Sequence, residues 1–294
     1  MTLPFGRIIT AMITPFKEDG EINYDKAAEL ADFLSENGSD AIVLGGTTGE
    51  SPTLSDDEKL NLFSRIKKTI GGKIKIIAGT GSNSTEHSIF LTKEAEKCGV
   101  DGIMLVVPYY NKPSQEGLYR HFAAIAESTE LPVMLYNIPG RSAVNMTAET
   151  TLRLAQIPNI RAVKEASGNL EQIAAICSGA PEGFAVYSGD DSMTLPIMSI
   201  GGSGVVSVAS HIAGREIKQM VLEFQSGNYR EALRIHHRLL PLFKVLFITS
   251  NPSPVKGALK LLGNDAGPLR LPLVELTADE QATVRKVLQN LNYL

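Results

Sequence analysis

Two cysteines, Cys98 and Cys177, are all the thiol chemistry in a chain of 294 residues. They are too few for a disulfide framework and show no metal-ligand pairing, so both are expected to be free thiols in a reducing compartment. The five histidines (His87, His121, His211, His236 and His237) contain no HExxH or other ligand spacing. No metal site is expected, and His236 with His237, beside Arg234 and Arg238, reads as a solvated helix face. Charge of one sign is missing too: 28 basic against 32 acidic residues give a net charge of -4, scattered along the chain. Without a cationic stripe, nucleic acid is a poor partner. Long apolar runs are absent as well, since Ile103 to Val107 halts at Pro108, far below the roughly 20 residues of a membrane helix. The stretch after Ile8 is broken by Thr10 and stopped by Pro15, with no basic segment leading a long apolar one. No signal peptide, no membrane contact and a cytoplasmic location are the expectations.

What the chain has is a periodic alternation of short buried strands and capped helices. Runs rich in Val, Ile and Leu, apolar on both faces, occur at 8–13, 41–44, 74–78, 102–107, 133–136, 160–163, 184–187 and 204–208. Strands buried on both faces belong to parallel sheets covered by helices. Helical patterns fill the gaps at 25–37, 56–70, 85–98, 114–128, 147–156, 170–177, 191–200 and 212–223. Ser55 stands three residues before Glu58 as a capping box requires, and Asn23 and Thr147 sit in similar positions. Gly38, Gly71 and Gly99 follow helix ends, where a left-handed residue is wanted. Eight such units predict an α/β fold, a closed (β/α)8 TIM barrel, because open doubly wound sheets usually stop at five or six strands. The catalytic barrel is expected over 1–225. Residues 226–294 form a helical C-terminal region with patterns at 229–248, 252–262 and 278–291, read as packing or assembly surface.

In a barrel, chemistry sits where strands end and the following loops begin. Lys164 ends the sixth strand, where an inward ammonium would be costly and its pKa accordingly lowered. A partly neutral amine there can attack a ketone and form a Schiff base, although an ordinary strand-end lysine fits the position as well. Tyr136 ends the adjoining fifth strand as a possible proton shuttle, weak without a relay partner, or else as a core tyrosine. The second strand runs into Gly45-Gly46-Thr47-Thr48-Gly49-Glu50, whose amides and hydroxyls suit a carboxylate. That run lacks the lysine of a phosphate loop, and Gly79-Thr80-Gly81 has Ser84 where a dinucleotide fingerprint needs glycine. Arg141, beyond Tyr136, could grip a carboxylate with two parallel bonds or be a surface arginine.

Together with Pro108-Tyr109-Tyr110-Asn111-Lys112-Pro113, Tyr136-Asn137-Ile138-Pro139-Gly140-Arg141 and Val163-Lys164-Glu165-Ala166-Ser167-Gly168-Asn169, that loop resembles the dihydrodipicolinate synthases, within the N-acetylneuraminate lyase group of class I pyruvate aldolases. The likeness continues through Ser188-Gly189-Asp190-Asp191, Gly201-Gly202-Ser203-Gly204 and Asn251-Pro252-Ser253-Pro254. It implies a lyase without cofactor that works through a covalent Lys164–pyruvate Schiff base, with Thr47 and neighbouring amides on the pyruvate carboxylate. Tyr136, Thr48 and Tyr110 would relay protons, Arg141 would hold the carboxylate of aspartate 4-semialdehyde, and the carbonyl of Val206 would complete the site. The product would be 4-hydroxy-tetrahydrodipicolinate, at the first committed step toward diaminopimelate and lysine. Tyr110 would reach into a neighbouring subunit, implying a homo-oligomer, a dimer of dimers. A sister aldolase acting on a keto sugar acid, or a non-catalytic keto-acid-binding barrel, are the alternatives. Asp190 and Asp191 receive no role. Lys59 and His87 occupy positions where lysine-inhibited members of the family carry other residues, so weak or absent lysine feedback is expected.

Overall fold

Runs that are apolar on both faces become strands buried on both faces. The computed structural model describes residues 3–294, and its eight strands close into one parallel barrel in chain order. They are β1 (Ile8–Ala11), β2 (Ala41–Leu44), β3 (Lys75–Gly79), β4 (Gly102–Val106), β5 (Val133–Asn137), β6 (Ile160–Glu165), β7 (Ala185–Ser188) and β8 (Gly204–Ser207). Closure is made by β1 pairing with both β2 and β8.

Strand parity sorts the side chains into two layers. Ile9, Ala41, Val43, Ile77, Met104, Met134, Ala162, Ala185 and Val206 fill the barrel interior, whereas Ile8, Ile42, Leu44, Ile76, Leu135 and Val163 pack outward against the helices. The expected caps form: Asn23 accepts from Lys26 N at 3.0 Å, Thr147 accepts from Thr150 N at 3.3 Å, and Ser55 with Glu58 makes the complete box. Gly38 and Gly99 are left-handed at φ 100 and 78, but Gly71 is not. Its φ is -56 and Gly72 takes the positive value of 101, so the turn after that helix closes one residue later than expected.

Three helical segments differ from the sequence reading. The pattern at 191–200 opens with a tight 3-10 turn, Asp191–Met193, before the helix Thr194–Ser199, because the Asp190 side chain takes up Ser192 N at 2.8 Å. The helix after β8 starts at Ser210 and carries a kink at Ala213. A short helix, Pro139–Ser142, was not foreseen; Pro139 opens it, where a missing N–H costs nothing.

The C-terminal helices Tyr229–Val245, Ser253–Leu261 and Ala278–Asn290 share one continuous apolar core with the barrel's helical layer through Leu239, Leu242, Val255, Leu259 and Val284. His236 corrects the expectation of a solvated face. With Ala232, Ile235 and Leu239 it falls on the buried stripe, is only 9% exposed, and lies 5.9 Å from the Phe243 ring, while His237 stays outside. Cys98 and Cys177 are free. Among the described residues no helix is long and apolar enough to cross a membrane.

Candidate active site

Parity and register bring the two strand-end residues together. Tyr136 and Lys164 follow Met134 and Ala162 on the inward face, and the two pair directly across β5 and β6. The Lys164 Nζ lies 4.0 Å from the Tyr136 ring centroid, and Lys164 is only 6% exposed. Burial drives its pKa down to about 7, resisted by the Asp191 carboxylate and reinforced by the Arg141 charge. The amine is therefore partly neutral near pH 7, the form that a nucleophile requires. Burial also pushes the Tyr136 phenol up to about 12, opposed by Arg141 and Thr47. A phenol so reluctant to ionise is a poor free base at neutral pH.

A buried amide network fixes the strand ends that carry this pair. Asn137 Nδ2 donates to Glu165 Oε1 at 3.0 Å, and Asn137 Oδ1 accepts from Met146 N at 3.0 Å. Ser167 N and the Gln172 amide complete the Glu165 carboxylate at 2.9 and 3.1 Å. Desolvation raises the Glu165 pKa, and the N–H donors are what allow the carboxyl to be buried without a cation. Gly189 leaves the space beside Lys164, since a Cβ there would meet Ala166 Cβ at 2.7 Å and Lys164 Cε at 3.2 Å.

The loop after β2 depends on two glycines. Gly45 turns at φ 62, and Gly79 at the end of β3 lets that turn approach, because a Cβ on Gly79 would stand 2.5 Å from the Gly45 carbonyl oxygen. Thr47 then faces a cavity of about 210 Å³ whose wall also includes Gly46, Tyr109, Tyr136 and Arg141. Arg141 is exposed yet belongs to this wall, positioned by the short helix Pro139–Ser142. Thr48 is buried behind Thr47, and its Oγ1 accepts from Asn251 Nδ2 at 2.9 Å. Val206 lies in the barrel-interior cluster with Tyr136. Tyr110 stands apart from the cavity wall, 89% exposed and left-handed at φ 73 in the loop after β4.

Thr47, Tyr136 and Arg141 thus share one cavity, with Lys164 stacked on one of its walls, whereas Tyr110 does not join them within this chain. Two residues were named in the sequence reading without a role. Asp191, fully buried, accepts from Ser207 Oγ at 2.5 Å and from Val208 N and Ala209 N at 3.0 Å, while its charge acts on Lys164. The signal was visible, an acid in the loop after β7, but its target was not. Asn251 reaches Thr48 from 203 residues away, which no local pattern announces.

Comparison with known proteins agrees with this geometry. A sequence model of the dihydrodipicolinate synthetase family matches residues 4–291. A 4-hydroxy-tetrahydrodipicolinate synthase of Halalkalibacterium halodurans is 62% identical over 94% of this chain and 94% of its own length. One from Desulforamulus reducens is 57% identical over 100% of this chain and 99% of its own. Among solved structures, a dihydrodipicolinate synthase from Cyanidioschyzon merolae with lysine bound superposes at a TM-score of 0.98, with 53% identity and full coverage of both chains. By sequence, fold and site geometry alike, the chain belongs to the dihydrodipicolinate synthetase family.

Proposed function

We propose that this chain is a lyase that condenses pyruvate with L-aspartate 4-semialdehyde to give 4-hydroxy-tetrahydrodipicolinate, the first committed step toward diaminopimelate and lysine. The observation that carries the reading is a buried amine of pKa about 7 stacked on Tyr136, beside a cavity walled by Thr47 and Arg141. Synthases of this name share 57–62% of their residues with it over nearly the whole chain.

The neutral Lys164 amine adds to the C2 ketone of pyruvate, and loss of water leaves a protonated imine. That cation withdraws electrons from C3, a C3 proton leaves, and an enamine forms. The enamine carbon attacks the aldehyde, whose oxygen takes a proton from a relay that begins at the Tyr136 phenol, on which the Thr47 hydroxyl acts, and is completed by Tyr110. The semialdehyde's own amine then attacks the imine carbon, expels Lys164 and closes the ring. No metal or cofactor is needed, because the imine is the electron sink. Thr47 with the loop amides receives the pyruvate carboxylate, the Val206 carbonyl borders the pyruvate, and Arg141 receives the carboxylate of the second substrate.

The working form is a homo-oligomer, a dimer of dimers, in which Tyr110 serves a neighbouring site. Its support is that Tyr110 is held left-handed and exposed, away from its own cavity. The enzyme is cytoplasmic.

Feedback by lysine is weak or absent. Lys59 and His87 share a second cavity with Ser51, Asn83 and Tyr109, and His87 is bonded to Asp56 at 2.9 Å, so that carboxylate is already engaged when a second ammonium approaches. Inhibition by sub-millimolar lysine would overturn this.

Borohydride reduction with pyruvate, followed by peptide mapping, tests the central claim: the adduct belongs on Lys164, and its absence would end the reading. With adduct formation intact, Arg141→Ala should raise KM for the semialdehyde by about tenfold or more, the scale of a lost charge-assisted pair. Keto sugar acids should not be cleaved.

A further inference from the structure

The loop that presents Thr47 ends in a strained residue. Glu50 is left-handed at φ 57, a conformation that glycine or asparagine takes at less cost, and such a residue persists only where its surroundings hold it. We propose that the buried Glu50–Lys256 pair is a positioning device for Thr47, through which the C-terminal helices set the pyruvate subsite before substrate arrives; this rests on the lyase reading above.

Lys256 Nζ lies 2.7 Å from Glu50 Oε1, and the two side chains are only 3% and 1% exposed. Charges so deep in a protein are tolerated only when their remaining bonding capacity is met. Here it is: Arg270 N donates to the second Glu50 oxygen at 3.0 Å, and Lys256 Nζ donates to the Pro268 carbonyl at 2.8 Å. Lys256 and Arg270 both lie over the Phe16 ring, at 4.4 and 4.5 Å. The Arg270 side chain reaches on to Glu58 and to the carbonyls of Gly20 and Thr53. The loop after β2, the helix Ser253–Leu261 and the segment around Arg270 therefore meet at one carboxylate.

Backbone bonds carry that hold to Thr47. Glu50 N donates to the Thr47 carbonyl at 3.1 Å and Ser51 N to the Gly46 carbonyl at 3.2 Å, so the turn is closed across its base. The Gly49 carbonyl accepts from Thr14 Oγ1 at 2.7 Å, and Asn251, just before the C-terminal helix, holds Thr48. A turn anchored on both flanks keeps Thr47 at the cavity wall, its hydroxyl acting on the Tyr136 phenol. A site set in advance spares the ordering of its loop when a carboxylate binds.

Stability and positioning separate in the test. Lys256→Met in the full chain strands the Glu50 carboxylate, so the Tm should fall. Half-saturating pyruvate, read by borohydride trapping on Lys164, should rise about tenfold, the scale of a weakened hydrogen bond to a charged group. KM for the semialdehyde should stay within about twofold, because Arg141 stands on the separate helix Pro139–Ser142. Adding Glu50→Gln removes the stranded charge and should recover about half or more of the lost Tm. Pyruvate should nevertheless remain more than about threefold weaker than in the wild type, because methionine offers the new amide no bond. Pyruvate affinity that returns together with the Tm, or losses shared equally by the two substrates, would overturn the proposal. Should a variant fold poorly or the Tm not recover, hydrogen exchange in the wild type decides. The Glu50 and Ser51 amides should slow on pyruvate addition no more than those of β3, since the turn is already set. A slowing confined to the turn would overturn the proposal, whereas failure to trap pyruvate in the wild type would instead overturn the lyase reading.

Discussion

Lys164 is costly where it stands, and that cost can be measured. Its pKa of about 7 in the folded chain lies below the ordinary 10.5, so between those values the unfolded chain holds the extra proton. Stability therefore rises with pH across that window, and the penalty of burial is full below about pH 7. Lys164→Met should abolish the pyruvate adduct yet raise the Tm by a few degrees, more at pH 6 than at pH 9. A melting point equal to or below wild type at pH 6 would contradict the burial argument. For the wild type, adduct formation should climb as pH rises through about 7 and then level off. Asp191→Asn removes the carboxylate that resists the shift, so this climb should move to lower pH. The same change gives one of the three donors on Asp191 an amide N–H to face, costing about 1–3 kcal/mol in chemical denaturation. Losing stability with no displacement of the pH profile would leave Asp191 a purely structural residue.

At the scale of elements, the site is a consequence of parity. Side chains alternate along β5 and β6, so Met134 and Ala162 in the barrel interior force Tyr136 and Lys164 to the same side, and the register sets them opposite each other. The ends of β2 and β3 depend on close backbone approach instead. Gly79→Ala would thrust a methyl against the Gly45 carbonyl at 2.5 Å, and backbone cannot swing aside as a flexible side chain does. A loss of about 1–3 kcal/mol in urea denaturation is expected, with a raised KM for pyruvate as the Thr47 loop shifts. Unchanged values of both would refute the packing argument. His236 shows the limit of reading an element by its neighbours. Flanking arginines suggested solvent, but the helical repeat through Ala232, Ile235 and Leu239 had already assigned it inward.

Across the whole molecule, the buried histidines His121, His211 and His236, all held below the ordinary pKa by burial, make the fold sensitive to acid. His211 accepts from Ile13 N at 3.2 Å and bonds the Val208 carbonyl at 2.8 Å, an arrangement met only by the neutral ring, and it ties the segment after β1 to the helix after β8. Burial holds His211 and His121 at pKa values of about 4, below the ordinary 6.5. The unfolded chain takes up those protons first, so stability falls as pH drops from about 6.5 to about 4, by about 1.4 kcal/mol per pH unit for each ring. The urea midpoint should be lower at pH 5 than at pH 7, and His211→Gln should flatten the dependence; a midpoint independent of pH would exclude these rings as its cause.

The order of strands and helices, the barrel they close and the residues at its mouth were legible in the sequence, because each depends on local periodicity. Eight runs apolar on both faces require parallel packing, and strand ends with the loops that follow them locate Lys164, Tyr136, Thr47 and Arg141 without any distance being known. What only the tertiary structure decided is what those groups feel: the burial that brings Lys164 to about 7, the Asp191 charge opposing it, and the Asn251 amide on Thr48. Desolvation and hydrogen bonding between residues hundreds of positions apart have no period in the sequence, since they arise only when the chain has closed on itself.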